Sequence, residues 1–238
     1  MKILAITGRA YHGKSTLANQ IEMDAVDFSL VPYKTAFAKK LKEVVKELLE
    51  VEKLPIDKYT DTASNVLLTF TELCYRIENW IKNLEKKYNT SFNHIDKDDL
   101  VLRIHEVASF CFTYHHAPTS RHLMSRLVLQ KFGTDIGRYL VPGVWIDFLI
   151  KDLQLLKSPS NTLVIIDDVR FADEFAALQR VFGETELVGV VRDGLPIYNH
   201  ASEVEINELV TAASYVVENA SLDDLPATSQ EILNLIIG

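Results

Sequence analysis

Cysteine, glycine and, over the last third of the chain, positive charge are all in short supply. Only Cys74 and Cys111 occur among 238 residues. Two thiols are too few for a disulfide framework and fit a reducing compartment. Lys and Arg number 25 against 33 Asp and Glu, a formal net charge of −8. Gripping DNA or RNA by broad phosphate neutralisation needs clustered cations that release counterions, so nucleic-acid polymers are not expected partners. No apolar run approaches the roughly 18 residues of a spanning helix. The apolar start Ile3-Leu4-Ala5-Ile6 stops at Thr7-Gly8-Arg9, well short of a signal-peptide core. The expected setting is cytoplasmic, without a membrane partner.

What charge there is lies unevenly. Residues 161–238 carry 14 Asp and Glu against three cations, Arg170, Arg180 and Arg192. An arginine isolated in so acidic a segment is a candidate anion ligand. The length suits one large domain, or one domain carrying an insertion.

Periodicity supplies the organisation. Residues 2–7 (KILAIT) read as a buried strand, followed by a glycine-bounded loop and a helix from about Lys14 to Met23. Phe37, Leu41, Val44, Val45, Leu48 and Leu49 recur at helical spacing and predict an amphipathic helix over 35–50. A loop is expected at 51–62, helices at 63–88 and 98–113, and a break between them at 89–96. This middle third has no β-rich run, so 51–120 reads as a helical insertion, offering either a dimer surface or a cover for an acceptor pocket. Beyond Arg121 the elements alternate again. Leu163-Val164-Ile165-Ile166 has the continuous apolar, β-branched character of a strand buried on both faces of a parallel sheet. A helix at 171–182, a strand at 186–191, a polar loop at 193–201, a helix from Glu203, a strand at 215–217 and a helix at 226–237 complete an α/β pattern with helices on both sheet faces.

Four segments carry chemistry. Gly8-Arg9-Ala10-Tyr11-His12-Gly13-Lys14-Ser15 satisfies G-x-x-x-x-G-K-[ST] between a strand and a helix. Glycines let such a loop curl so that its N–H groups face phosphate oxygens. The helix N-terminus adds its positive end, Lys14 reaches the β- and γ-phosphates, and Ser15 can ligate Mg²⁺. His12 is placed to touch phosphate, but reads first as a solvent-facing loop residue. Asp167 and Asp168 end an apolar strand, where a carboxylate can hold Mg²⁺. Asp168 is the residue chosen here, with capping of the helix at Phe171 as the alternative. Five of the nine glycines fall in two short segments, at 8 and 13 and at 133, 137 and 143. Gly133 and Gly137 either permit close helix packing or let Gln130, Thr134 and Arg138 present amide, hydroxyl and guanidinium groups to a ligand. Arg192, at a strand end before a Gly/Pro loop, suits a mobile lid with a charge clamp over about 193–203. Ser202-Glu203 suits a lid contact or a helix N-cap with a first-turn acid.

In this order along the chain, these segments resemble the deoxynucleoside monophosphate kinases of tailed bacteriophages, a branch of the P-loop nucleotide kinases. The matching residues are Gly8–Thr16, Phe37-Ala38 with Leu41-Lys42, Leu129-Gln130 with Gly133-Thr134 and Arg138, Trp145, Asp168–Phe171 with Glu174, Arg192, and His200–Glu203. The resemblance covers roughly 1–50 and 121–217. It implies a three-layer P-loop NTPase fold with a lid and the reaction ATP + dNMP → ADP + dNDP. It places ATP on Gly8–Thr16 and Mg²⁺ on Ser15 and Asp168. Phe37, Lys42, Gln130, Thr134, Trp145, Asp168 and Glu203 would line the acceptor site. Arg138 and Arg170 would hold the acceptor phosphate, and Arg192 would come from the lid. Two other readings remain: a kinase of another small acceptor, and a P-loop ATPase switch or adaptor.

Overall fold

The computed structural model describes residues 1–50, 68–116, 127–157, 160–194, 201–218, 221 and 223–238, without the side chains of 114–116 and 201–204. The loop expected at 51–62, the start of the helix expected at 63, and residues 195–200 of the expected lid lie outside the described residues. The chain divides into two compact units, Met1–Ala38 with Ile146–Gly238, and Lys39–Trp145.

The first unit is built on a five-stranded, all-parallel sheet. Its strands are β1 (Lys2–Thr7), β2 (Val31–Thr35), β3 (Thr162–Val169), β4 (Thr185–Val191) and β5 (Tyr215–Glu218), in the order β2-β3-β1-β4-β5. Side chains alternate across the central strands. Leu4, Ile6, Leu163, Ile165, Val188 and Val190 belong to one buried core with Leu17 and Ile21 of α1 (Lys14–Asp24) and Ile232 and Leu233 of α9 (Leu225–Ile237). Ile3, Ala5, Val164, Ile166 and Leu187 form the other. There they meet Leu149 and Leu153 of α6 (Val144–Leu155), Leu178 of α7 (Ala172–Phe182) and Leu209 of α8 (Ala201–Ala212). The unit is therefore a three-layer α/β structure. Each fully buried Leu or Ile contributes about 1.5–3 kcal/mol.

The strands at 2–7 and 163–166 and the elements from 171 onward fall where periodicity puts them, to within a few residues. β2 was not anticipated. Pro32 and Lys34 interrupt its apolar pattern, and it is an edge strand, where a residue without an N–H is tolerated.

The second unit is helical among its described residues. It comprises most of α2 (Ala38–Leu49), α3 (Phe70–Tyr88), α4 (Lys97–His116) and α5, which covers 127–140 of the described chain. α3 starts at a capping box: the Thr69 hydroxyl accepts from Glu72 N at 3.3 Å, and Thr69 N donates to Glu72 Oε2 at 2.7 Å. Its buried stripe is Leu73, Ile77, Ile81 and Leu84, and that of α4 is Ile104, Val107, Ala108 and Cys111. Burial pushes the Cys111 thiol up to about 12, so it stays a protonated, unreactive core group. Arg76 of α3 pairs with Glu50 and donates to Glu47 O, joining α3 to the end of α2. No helix of the described residues is long and apolar enough to cross a membrane.

Within α5, Phe132–Arg138 is wound as a π-helix, and Tyr139 N donates to Thr134 O, five residues back. Its two glycines are set by packing. A Cβ on Gly137 would lie 2.5 Å from Trp145 Cζ2, and one on Gly133 would lie 2.8 Å from Leu41 Cδ2. Trp145 also donates from Nε1 to Gly133 O at 2.9 Å. Gly137→Ala is expected to destabilise the fold by about 1–3 kcal/mol. Gly133→Ala should cost less, because Leu41 can turn its methyl away. Urea unfolding of the two variants checks the order; equal effects would contradict it.

Candidate active site

The loop after β1 is shaped by three residues with positive φ: Gly8 at 143°, Tyr11 at 68° and Gly13 at 96°. At Gly8 both conformation and space require glycine, since a Cβ would sit 2.4 Å from Val190 O. Gly13 turns the chain into α1, whose first backbone bond is Leu17 N to Gly13 O at 2.9 Å. Ser15 and Thr16 are exposed on the first turn, where helical N–H groups lack intrahelical partners. Lys14 Nζ folds over the loop and donates to Gly8 O and Arg9 O, both at 2.7 Å. This places a cation beside a helix N-terminus, a combination that attracts phosphate.

Because β3 and β4 flank β1 in a parallel sheet, their carboxyl ends open on either side of this loop. The β1–β3 register slips between Ala5/Thr7 and Ile166/Val169, so Asp167 and Asp168 sit in a bulge. Bulges re-aim side chains, often next to active sites. Asp168 accepts Phe37 N at 2.7 Å on Oδ1 and Ala38 N at 2.8 Å on Oδ2. It therefore caps the start of α2, which begins at Ala38 and not at Thr35 because Thr35 still belongs to β2, paired with Ile166. Burial drives the Asp168 carboxyl above its ordinary range, against the pull of those two amides and of Arg170.

The alternative role for Asp168, capping the helix at Phe171, is filled by another residue. Glu174, buried, accepts Arg170 N at 2.8 Å and Phe171 N at 3.2 Å. Asp167 is half-buried, and accepts no hydrogen bond and forms no ion pair among the described residues.

On the other side, His12 corrects its expected solvent-facing position. It is only 7% exposed, with Nδ1 3.1 Å from Val190 O and 3.2 Å from Arg192 N. Arg9 Nη2 donates to Asn207 Oδ1 at 3.0 Å. Arg9, His12, Val190, Arg192, Asn207 and Thr211 line part of a cleft of about 400 Å³ between the loop, the end of β4 and α8. The Arg192 side chain is exposed at its rim. Ala10 and Tyr11 complete the loop, and half of Tyr11 is exposed.

The remaining candidates fall as follows. Phe37 is buried in the sheet core with Ile146 and Val169, and Arg170 is half-buried at the end of β3. Lys42, Gln130, Thr134 and Arg138 are half-buried in the second unit. Trp145 is 5% exposed and stacks on Trp80 with ring centroids 6.0 Å apart. Gly133 and Gly137 pack closely against Leu41 and Trp145. Glu203 lies in the first turn of α8, and its side chain is outside the described residues.

Three features escaped the sequence reading: the inward turn of His12, the aromatic stack of Trp80 on Trp145, and the capping of α2, not of the helix after Phe171, by Asp168. The scarcity of tryptophan, two in the chain, was the signal for the stack. The other two depend on contacts distant in sequence. No family model matches the chain, and no curated protein matches it significantly.

Proposed function

We propose that this protein is a P-loop nucleotide kinase that transfers the γ-phosphate of ATP to a deoxynucleoside monophosphate, giving ADP and dNDP. The observation that carries the reading is the Gly8–Ser15 loop. It has the expected strand before it, the expected helix after it, Lys14 folded over its carbonyls, and acidic and basic residues at the ends of the two neighbouring strands. The order of motifs shared with the bacteriophage enzymes supports the choice of acceptor.

Phosphoryl transfer asks a protein mainly for alignment and charge stabilisation. Loop amides and Lys14 bind the donor phosphates. Arg170 and, by the resemblance, Arg138 hold the acceptor phosphate, while Arg192 supplies charge from the lid. A monophosphate with a second pKa of about 6 carries an oxygen that is already nucleophilic near neutral pH, so no protein base is required. That requirement separates this acceptor from a nucleoside, whose hydroxyl needs a nearby carboxylate. When bound, Mg²⁺ would supply neutralising charge at the donor phosphates. Ser15, exposed on the first turn of α1, and the carboxylates of the β3 bulge fit such an ion. Asp167 suits it better than Asp168, whose two oxygens already accept Phe37 and Ala38 amides. Lys42, Gln130, Thr134, Trp145 and Glu203 are assigned to the acceptor side by resemblance.

ADP release from ATP and Mg²⁺, measured with each of the four common dNMPs and without any, tests the proposal. At least one dNMP should raise the rate well above the ATP-only rate. No stimulation by any of them would exclude the reading and leave a kinase of another small acceptor or an ATPase switch.

A further inference from the structure

We infer that His12 is a positioning residue that anchors the root of Arg192 to the phosphate loop; this rests on the reading of Arg192 as the lid cation. Arg192 is the first residue beyond β4, and its side chain is exposed. An exposed arginine is aimed mainly by its backbone. That backbone meets the phosphate loop through His12, whose Nδ1 lies 3.2 Å from Arg192 N and 3.1 Å from Val190 O.

One ring nitrogen carries either a proton or a lone pair in its plane. Nδ1 therefore either donates to Val190 O or accepts from Arg192 N–H. The anchor inferred here is the accepting form, in which Arg192 N–H donates to Nδ1; the donating form would hold the ring to Val190 O and leave the Arg192 amide unprotected. Gly8 presses on that spot too, since a Cβ there would lie 2.4 Å from Val190 O. Arg9 separately ties the loop to α8 through Asn207 Oδ1 at 3.0 Å. Tyr11, at φ 68°, supplies the backbone reversal directly before the histidine. The loop that would grip the donor is thus docked onto the strand that carries the lid arginine. Displacement of one is transmitted to the other through a residue that need not touch phosphate.

The test compares wild type, His12→Ala, His12→Asn, His12→Gln, Arg192→Ala and the His12→Ala/Arg192→Ala double variant. An Asn amide can occupy the Nδ1 position, whereas the Gln amide falls nearer that of Nε2. His12→Ala and His12→Gln should lower kcat about tenfold, the scale of one lost hydrogen bond, with KM for ATP changed by less than about twofold. His12→Asn should recover most of that loss. The double variant should be no slower than Arg192→Ala alone, as expected for residues acting as one unit.

Amide hydrogen exchange at Arg192 gives a readout independent of turnover, and should be about tenfold faster in His12→Gln than in wild type or His12→Asn. If wild type phosphorylates no dNMP, the kinase reading fails while the exchange data still decide the anchor. The inference is overturned by unchanged Arg192 exchange in His12→Gln, by losses that multiply in the double variant, or by an ATP KM that rises in step with the fall in kcat. Should His12→Ala not fold, the Asn and Gln pair carries the same comparison.

Discussion

Lys14→Ala is expected to lower dNDP formation by at least about a thousandfold, because Lys14 is the loop cation beside the start of α1, whereas the other, Arg9, is turned to Asn207. The fold should survive. Lys14 donates to Gly8 O and Arg9 O, and its removal costs those two hydrogen bonds. At about 0.5–1.5 kcal/mol each, with Lys14 only half-buried, the melting temperature should fall by a few degrees. Initial rates together with thermal unfolding by circular dichroism check both halves. A folded variant within tenfold of wild-type activity would remove Lys14 from the chemistry.

Arg170→Ala should be the second most damaging change, lowering kcat/KM for the acceptor by about two to three orders of magnitude, the range seen when one preorganised charge donor is lost. The Kd for ATP should be nearly unchanged. The backbone here is held independently of the guanidinium, since Arg170 N donates to the buried Glu174 at 2.8 Å. Loss of the side chain should therefore leave the start of α7 in place. Arg170→Lys should recover only part of the loss, because an ammonium cannot reproduce the planar fork that binds phosphate through two bonds. Equal kcat/KM in Arg170→Ala and wild type would exclude the assignment.

Arg170 also restrains Asp168. Burial raises the Asp168 carboxyl above its ordinary value of 3.8, and Arg170 pulls it down. A carboxyl raised in the folded state adds stability that is fully present below the unfolded pKa and is lost as pH rises through the folded one. In Arg170→Ala that loss should extend to higher pH than in wild type. Unfolding free energies measured from pH 3.5 upward would display the wider window. Curves of identical shape for the two proteins would contradict the electrostatic link.

Much of the fold could be read from sequence because the central strands are buried on both faces. Ile3–Ile6 and Leu163–Ile166 are continuous apolar runs for that reason, and Gly8 and Gly13 punctuate the turn between strand and helix. β2 could not be read in the same way, because an edge strand has no need of such a run and tolerates Pro32. The π-helical winding of Phe132–Arg138 was also hidden, although Gly133 and Gly137 marked the place. Within the site, the residue types followed from local spacing. The partners did not: Asp168 binds amides about 130 residues away and His12 binds atoms about 180 away. No local pattern encodes such pairs.

On the proposed function, the Gly8–Ser15 loop serves transfer between two small phosphorylated molecules. ATP labelled at the γ-phosphate, incubated with Mg²⁺, a dNMP and the protein, tests it most directly once the products are separated. The label should appear in dNDP in proportion to protein and dNMP, and disappear from that product in Lys14→Ala. Label recovered only as inorganic phosphate, at a rate indifferent to dNMP, would contradict it.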